Sequence, residues 1–325
     1  MNNYQPTIDL AGEVCFCPNF WQTKTRINHL IKTYVRPEIL SDRLEDLPQQ
    51  FINPQPRQCN KINWHEINPE QIIGIELDLF TAILRGALDT EAPISGYTQT
   101  SRKYLEPIHP AMAKFVGGTV NREGKILELG LWEKEERQHT PALIKIYQQL
   151  TKTKIKPRFR QVKTYQAIAS PYEDLYHHGL HRVVTEYSAV CLYLWMMAHT
   201  TGTIQQVLAE LLQDEVNHMT KFWGMGIWLY PDANSKLTSL VLSQITSLLQ
   251  PSKKNSSSTF RRMMSVLHWQ SWSTSHKIEL VYTFALVLQH VVHWSRSLTP
   301  EYLKPLCTSP QFLGNNNLDS QFTIL

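Results

Sequence analysis

The chain has 325 residues, of which 42% are hydrophobic and 18% are charged, with a formal net charge of +4. This hydrophobic content is enough for a sizeable core, so it excludes a chain that is disordered throughout. The excess of 32 Lys and Arg residues over 28 Asp and Glu residues is too small to indicate general nucleic-acid binding.

No segment predicts a membrane span, because the longest apolar run, residues 189–198, is half as long as a transmembrane helix. The first thirty residues carry four charged side chains and no long apolar stretch, so they do not predict a signal peptide. Five cysteines, of which only Cys15 and Cys17 lie close together, do not predict a disulfide scaffold. We therefore expect a cytoplasmic protein.

The chain divides into three predicted regions. Residues 1–68 are rich in Pro, Asn and Gln and predict an irregular N-terminal extension with one short helix near 28–35. Residues 69–235 predict a helical body, and residues 236–325 predict further helices and a tail packed on that body. Strand patterns are scarce, so the predicted fold is all-α, built around a four-helix bundle.

Apolar residues recur at helical spacing in four long segments of the body. The first begins at Asn68-Pro69-Glu70, where Asn68 is a natural N-cap, and continues past a kink at Pro93 toward Leu105. The other three long helices are predicted over 122–152, 180–199 and 203–229, the last ending at Pro231. Two C-terminal helices are predicted over 236–249 and 277–297, with a polar linker at 251–259 between them and a tail after 308.

Two of the predicted helices carry one pattern, an acidic residue followed by Glu, two further residues and His. It occurs at 135–139 and again at 214–218. Because positions i and i+3 share a helix face, Glu136 projects with His139, and Glu215 projects with His218. A carboxylate and an imidazole that converge in this way are typical metal ligands. A third Glu-x-x-His, at 106–109, lies between prolines and predicts a poor ligand pair.

Two such pairs, with one Glu from each of two other helices, form the di-iron carboxylate site of ferritin-like bundles. Glu186 lies among apolar residues of the third long helix and is a natural third carboxylate. The first helix can supply Glu76, Glu91 or Glu106. For one Glu–His pair the ordinary explanation is a solvated helix face. Several carboxylates on apolar faces instead need counter-charges, which two divalent cations would supply.

These segments resemble the soluble acyl-acyl-carrier-protein desaturases, a family of the ferritin-like di-iron superfamily. The resemblance covers about residues 75–235 and includes Trp132 before the first pair and Tyr230-Pro231-Asp232 after the second. Residues 86–100 resemble the segment that carries the family's first ligand, Thr-Glu followed by Pro, Tyr and Gln. The resemblance therefore implies Glu91 as the first ligand, with Glu76 as the alternative.

The resemblance implies two Fe2+ ions and O2 as a co-substrate, in an oxidase that abstracts hydrogen from an unactivated C–H bond of a carrier-bound acyl chain. Glu136 and Glu215 would bridge the ions, and Asp214 would accept a hydrogen bond from a ligand histidine. The implied ligands are Glu91, Glu136, His139, Glu186, Glu215 and His218.

Two departures from the family leave other functions open. Ala189 stands where the family has a threonine, and the interval from Glu186 to Glu215 is about one helical turn shorter. The alternatives are another di-iron oxygenase, a hydroxylase or N-oxygenase acting on a small molecule, and a non-catalytic ferritin-like protein. An apolar, elongated cavity would favour the desaturase, a short polar pocket the oxygenase, and a filled cavity the non-catalytic protein.

The expected partners are an acidic acyl carrier protein and a ferredoxin-type electron donor. The basic stretch from Lys152 to Lys163 can dock an acidic partner, although such a stretch is often only a solvated loop. The C-terminal Trp and His side chains, including Trp272 and His276, are expected to pack in the core. The sequence leaves the oligomeric state open, with a homodimer as the candidate.

Overall fold

The computed structural model describes residues 18–158, 170–230, 232–249, 264 and 266–308. Within these residues the chain is mostly helical, which confirms the all-α prediction. Among the described helices, none combines the length and the hydropathy that crossing a bilayer requires. The helices are α1 Phe20–Tyr34, α2 Pro37–Glu45, α3 Leu47–Ile52, α4 Leu77–Glu91, α5 Ile94–Leu105, α6 Pro110–Gly117, α7 Leu131–Thr151, α8 Pro171–Ala198, α9 Gly202–Leu229, α10 Ala233–Leu249, α11 Thr274–Ser295 and α12 Pro300–Cys307.

The longest helices, α8 and α9, pack along each other and form the centre of the molecule. Only three residues, 199–201, join them, so the two helices run antiparallel. Helix α4 packs against α7, and α7 in turn packs against α9. The core between them is built from fully buried large side chains such as Trp132, Trp195 and Trp223.

The N-terminal region is more regular than the sequence predicts. Residues 1–17 lie outside the described part, and the predicted helix at 28–35 falls within the longer α1. Asn19 caps α1 through a capping box, in which its side chain accepts hydrogen bonds from the N–H groups of Trp21 and Gln22. The prediction of an irregular extension is wrong for α1 to α3, because buried apolar side chains fix α1 against α8, α2 against α9 and α3 against α6 and α12.

The first long helix begins at Leu77, eight residues later than the predicted start at 69. Asn68 does cap a helical turn, but that turn is the short 3-10 helix Pro69–Gln71. The chain then becomes extended, with Ile72 bridging to Thr200, and Gly74 adopts a φ of +68° that ends any helical continuation. At the far end, α4 stops at Glu91 and α5 starts at Ile94, so Pro93 separates two helices.

The helix predicted over 122–152 begins only at Leu131, because a β-hairpin precedes it. Strands β1 Thr119–Val120 and β2 Ile126–Glu128 pair antiparallel, with Thr119 opposite Glu128 and an irregularity beside it. The side chain of Asn121 accepts hydrogen bonds from the N–H groups of residues 123 and 125 and so closes the turn. The hairpin fixes the point at which α7 starts.

The later helices extend beyond their predicted N-terminal ends. Helix α8 begins at Pro171 instead of 180, since Ser170 and Glu173 form a capping box. Helix α9 ends at Leu229, as predicted, although Pro231 lies outside the described part. Helices α10 and α11 match the two predicted C-terminal helices, and α12 was not predicted. The linker at 251–259 and the tail after 308 also lie outside the described part.

Gly118 should be intolerant of a side chain. Its φ of +73° and ψ of −152° are accessible almost only to glycine, and a Cβ atom there would lie 1.8 Å from the carbonyl oxygen of Glu128. We expect Gly118→Ala to lower the free energy of unfolding by about 3 kcal/mol, through backbone strain and overpacking. Chemical denaturation measures this loss.

The matched control is Gly124→Ala in the turn of the same hairpin. Gly124 also has a positive φ, +78°, but a Cβ atom there would meet nothing within 4 Å. We expect this variant to lose about 1 kcal/mol, from the left-handed backbone alone. Equal losses in the two variants would contradict the close packing of Gly118 against β2.

Candidate metal centre

The six side chains predicted as ligands lie together between α4, α7, α8 and α9. Their ligand atoms form two groups, and within each group all atoms lie within 4.8 Å of one another. Glu136 and Glu215 belong to both groups, so the two groups are adjacent and share two carboxylates. The first group is Glu91, Glu136, His139 and Glu215, and the second is Glu136, Glu186, Glu215 and His218.

The structure places Glu91 in the cluster and both alternative acids outside it. Glu91 is the last residue of α4, and its Oε2 lies 4.0 Å from Nδ1 of His139. Glu76 is exposed at the opposite end of α4, about 22 Å away along the helix axis. Glu106 is largely exposed, and its carboxylate accepts a 2.5 Å hydrogen bond from Arg102. Neither Glu76 nor Glu106 therefore belongs to the cluster.

The two histidines are oriented by acidic residues on the opposite helix. His218 Nε2 lies 2.9 Å from Oε2 of Glu135, and His139 Nε2 lies 3.5 Å from Oδ2 of Asp214. These acids directly precede the Glu of each motif, so each motif supplies the acid that holds the histidine of the other. Asp214 was predicted from the sequence and Glu135 was not, although each of them is the acidic residue that opens its motif.

This orientation leaves the two Nδ1 atoms facing the cluster. His218 Nδ1 lies 2.9 Å from Oε1 of Glu136, and His139 Nδ1 lies 3.2 Å from Oε1 of Glu215. Both Nδ1 atoms are buried, and neither makes a hydrogen bond. When Nε2–H donates to a carboxylate, Nδ1 of a neutral ring carries a lone pair directed at other acceptors. Buried lone pairs that converge with carboxylate oxygens fit a metal site.

Arg57 connects the two acids that hold the histidines. Its Nε donates to Oδ1 of Asp214 at 2.9 Å, and its backbone N–H donates to Oε1 of Glu135 at 3.1 Å. Its Nη1 also pairs with Glu210 at 2.5 Å. One residue of the segment that follows α3 therefore fixes the partners of both histidines. Sequence reasoning missed Arg57, because it lies far from both motifs in an irregular stretch.

The cluster holds more negative charge than the surrounding side chains neutralise. Burial and the charge of Glu136 raise the pKa of Glu91 to about 8 and that of Glu186 to about 7, and they raise the pKa of Glu215 well above its usual range. Burial also opposes ionisation of Glu136, but the positive charge of the two histidines and the hydrogen bond from Trp132 outweigh it and lower its pKa to about 2. Although burial opposes their charge, the carboxylates raise the pKa of both histidines well above its usual range, so a bound metal would take the place of a proton on each Nδ1. Without added cations, only part of the cluster is ionised.

A neighbouring acid shows how this fold satisfies a structural carboxylate. Glu133 is fully buried, one helical turn before Arg137. It accepts hydrogen bonds from Ser95 at 2.9 Å, Thr98 at 2.7 Å and Arg137 at 2.6 Å. The carboxylates of the cluster have fewer such donors, since Trp132 bonds to Glu136 and Tyr193 bonds to Glu91. The chemistry of this donor set thus fits two divalent cations.

A cavity of about 650 Å³ opens onto the cluster from the side of α5, α8 and α10. Four of the six candidate ligands form part of its wall, and the two histidines lie behind them. Arg182 lies beside the ligands, with its guanidinium over the rings of Tyr97 and Trp132 and its Nη1 4.0 Å from Oε1 of Glu186. A small organic molecule in this cavity would contact the cluster directly.

The chain matches no family model, no curated protein and no solved structure. The arrangement of the side chains alone therefore supports the assignments below.

Replacement of Arg57 should disturb the cluster without removing a ligand. In Arg57→Gln, Asp214 loses its guanidinium donor, while the backbone N–H of residue 57 remains for Glu135, so the imidazole of His139 becomes less well oriented. We expect the affinity for Co2+, used as a spectroscopic probe, to fall about 10- to 100-fold, the usual effect of losing a partner of a ligand. A titration that follows the visible absorption of Co2+ measures this affinity.

The control is Arg43→Gln. Arg43 lies near the same two acids but donates its hydrogen bond to Gln213 of α9, at 3.4 Å, so the variant removes a nearby charge without removing a hydrogen bond from either acid. This variant should bind Co2+ as the wild type does. An unchanged affinity in Arg57→Gln, or an equal loss in both variants, would contradict the orienting role of Arg57.

Proposed function

We propose that the protein is a di-iron oxidoreductase that uses O2 to oxidise an organic substrate held in the adjoining cavity. One observation carries this proposal: two ligand groups share Glu136 and Glu215 and border a cavity large enough for a substrate. Glu91 and His139 would complete the site of one ion, and Glu186 and His218 that of the other. When bound, the two ferrous ions supply the electrons and open positions that activate O2.

The protein residues around the cluster have three tasks in this proposal. Glu135 and Asp214 hold the ligand histidines in the tautomer that keeps Nδ1 free for a metal. Trp132 and Tyr193 donate hydrogen bonds to two of the carboxylates and limit their rotation. Five of the six candidate ligands are buried, and the packed helices around them limit the access of water, which protects a reactive oxidant from side reactions.

The wall of the cavity favours a polar small molecule as the substrate. The wall is apolar over most of its surface, and many of its hydroxyl groups bond within their own helices, as those of Thr100, Thr185 and Ser188 do to carbonyl groups. Arg182 differs, because its Nε is buried and makes no hydrogen bond. A hydrocarbon chain would leave this N–H without an acceptor, at a cost that a substrate with a polar acceptor group avoids. The observation favours the hydroxylase or N-oxygenase over the desaturase. The polar groups include Thr100, Ser101, Thr185, Ser188, Ser243, Gln244 and Ser247.

Desaturation of a carrier-bound acyl chain is the second candidate, supported by an exposed basic loop. Lys152, Lys154, Lys156 and Arg158 are all exposed, and the backbone N–H of Arg158 donates to Asp89, two residues before Glu91. A negatively charged carrier protein or ferredoxin docked on this loop would approach the end of α4 near the cluster. Arg160 and Lys163, the remaining members of the basic stretch, lie outside the described part.

Removal of a shared carboxylate should remove both metals. We expect wild-type protein expressed with iron to carry two iron ions per chain, and Glu136→Ala and Glu215→Ala to lose them, because each residue belongs to both ligand groups. Elemental analysis of the purified proteins measures the stoichiometry, and consumption of O2 by the reduced wild type tests the reaction.

Glu106→Ala is the control, since Glu106 belongs to the third Glu-x-x-His segment and lies outside the cluster. It should keep two iron ions. A folded wild type without stoichiometric metal would overturn the proposed function, and a variant of Glu136 with normal iron content would overturn the shared position of that residue.

The two substrate classes should be distinguishable by coupled O2 consumption. We expect small polar amines and carboxylates to stimulate O2 uptake by the reduced iron protein, and to gain one oxygen atom from isotopically labelled O2. An acyl chain on acyl carrier protein should not stimulate uptake, because a hydrocarbon offers no acceptor to the buried Nε of Arg182. Mass spectrometry of the products provides the measurement.

Ala189→Phe provides the control, because Ala189 lines the cavity and is not a candidate ligand. This variant should keep its iron and lose the stimulated O2 uptake. Loss of two hydrogen atoms from the carrier-bound chain would instead establish the desaturase.

A further inference from the structure

A second cluster of metal-ligating side chains lies at the far end of α8. It consists of His199, which caps α8, and of His276 and Glu279 in the first turns of α11. His199 is about 20 Å along the helix axis from Glu186, so this cluster is separate from the candidate di-iron centre. His199 and Glu279 are buried, and His276 is half-buried.

Two consecutive backbone carbonyl groups fix the tautomers of both histidines. His199 Nδ1 lies 3.1 Å from the carbonyl oxygen of Ile73, and His276 Nε2 lies 3.0 Å from that of Gly74. A carbonyl oxygen only accepts hydrogen bonds, so each of these ring nitrogens carries the proton. In neutral rings the lone pairs therefore lie on Nε2 of His199 and Nδ1 of His276.

The lone-pair nitrogen of His199 lies beside the carboxylate of Glu279, and a ligand atom of His276 lies close to both. His199 Nε2 is 2.9 Å from Oε2 of Glu279, and the ligand atoms of all three residues lie within 4.8 Å of one another. The Nδ1 atom of His276 is buried and makes no hydrogen bond. A protonated His199 paired with Glu279 would explain the first contact, but it would leave His276 Nδ1 unused.

We propose that His199, His276 and Glu279 form a binding site for one divalent transition-metal ion such as Zn2+. Two imidazoles and a carboxylate are an ordinary donor set for zinc, and histidine ligands usually donate their second N–H to a carbonyl or carboxylate group. The same two features, a held N–H and an unpartnered buried nitrogen, mark the candidate di-iron centre. This proposal does not depend on the proposed function.

The surroundings of the cluster orient the carboxylate of Glu279 and shield it on one side. Trp195 stacks against Trp272, its ring centroid lies 4.6 Å from that of His199, and its Nε1 donates to Oε2 of Glu279 at 3.3 Å. Ser275 donates to the other carboxylate oxygen of Glu279, also at 3.3 Å. The aromatic rings exclude water on one side, while the half-exposed His276 leaves a path from solvent. A bound ion would join α8, α11 and the segment before α4.

The test uses the full chain with both shared carboxylates of the di-iron centre removed, Glu136→Ala/Glu215→Ala. Equilibrium dialysis against Zn2+ should give one zinc ion per chain in this protein. Addition of His276→Asn should weaken that binding more than about 100-fold, since loss of a ligand exceeds the effect of losing a ligand's partner. His293→Asn, an exposed histidine of the same helix, should leave it unchanged.

A second measurement uses proteins with an intact di-iron centre, in case the double variant does not fold. Saturating Zn2+ should raise the melting temperature of the iron-loaded wild type and of His293→Asn, but not that of His276→Asn, because binding to the folded state alone stabilises it. The proposal is overturned if the double variant binds no zinc while folded, or if His276→Asn keeps the zinc-dependent stabilisation.

Discussion

Four carboxylates buried at one place between the central helices are the constraint on which the rest of this structure depends. Two carboxylate charges 4 Å apart repel each other by roughly 4 kcal/mol at an effective dielectric constant of 20. Two histidines cannot balance four such groups, and Arg182 reaches only Glu186, at 4.0 Å. Such a cluster persists only if protons or cations neutralise it, and two ring nitrogens that converge with shared carboxylate oxygens fit divalent cations.

The pairing of α7 with α9 makes the geometry of the cluster depend on the packing of whole helices. Glu135 and His139 lie on α7, Asp214 and His218 lie on α9, and each acid holds the histidine of the other helix. The register of α7 against α9 therefore fixes both imidazoles at once. Arg57 contacts both acids, so the N-terminal segment takes part in the same network instead of only covering it. A shift of either helix would disturb both halves of the site together.

The sequence was sufficient to predict which Glu and His side chains cluster, and insufficient to predict what surrounds them. The repeated acid-Glu-x-x-His pattern identified four of the six clustered side chains because helical periodicity is local, and the Thr-Glu-x-Pro segment pointed to Glu91. Local signals misplaced the start of the first helix at Asn68, since tertiary pairing of Ile72 with Thr200 overrides the capping preference. Arg57 and the cavity wall had no local signal, because they depend on contacts between distant segments.

In both histidine clusters a hydrogen-bond acceptor holds one ring N–H of each histidine. The acceptors differ between the two clusters, and this difference affects the chemistry of a bound metal. In the candidate metal centre carboxylates accept the Nε2–H bonds, which would make the imidazoles more basic and favour higher oxidation states of a bound metal. In the second cluster neutral carbonyl groups of Ile73 and Gly74 take that place. Those imidazoles are less strongly donating, and the site offers one carboxylate instead of four. The first environment suits a metal that changes its oxidation state, and the second suits an ion of fixed charge that connects helices.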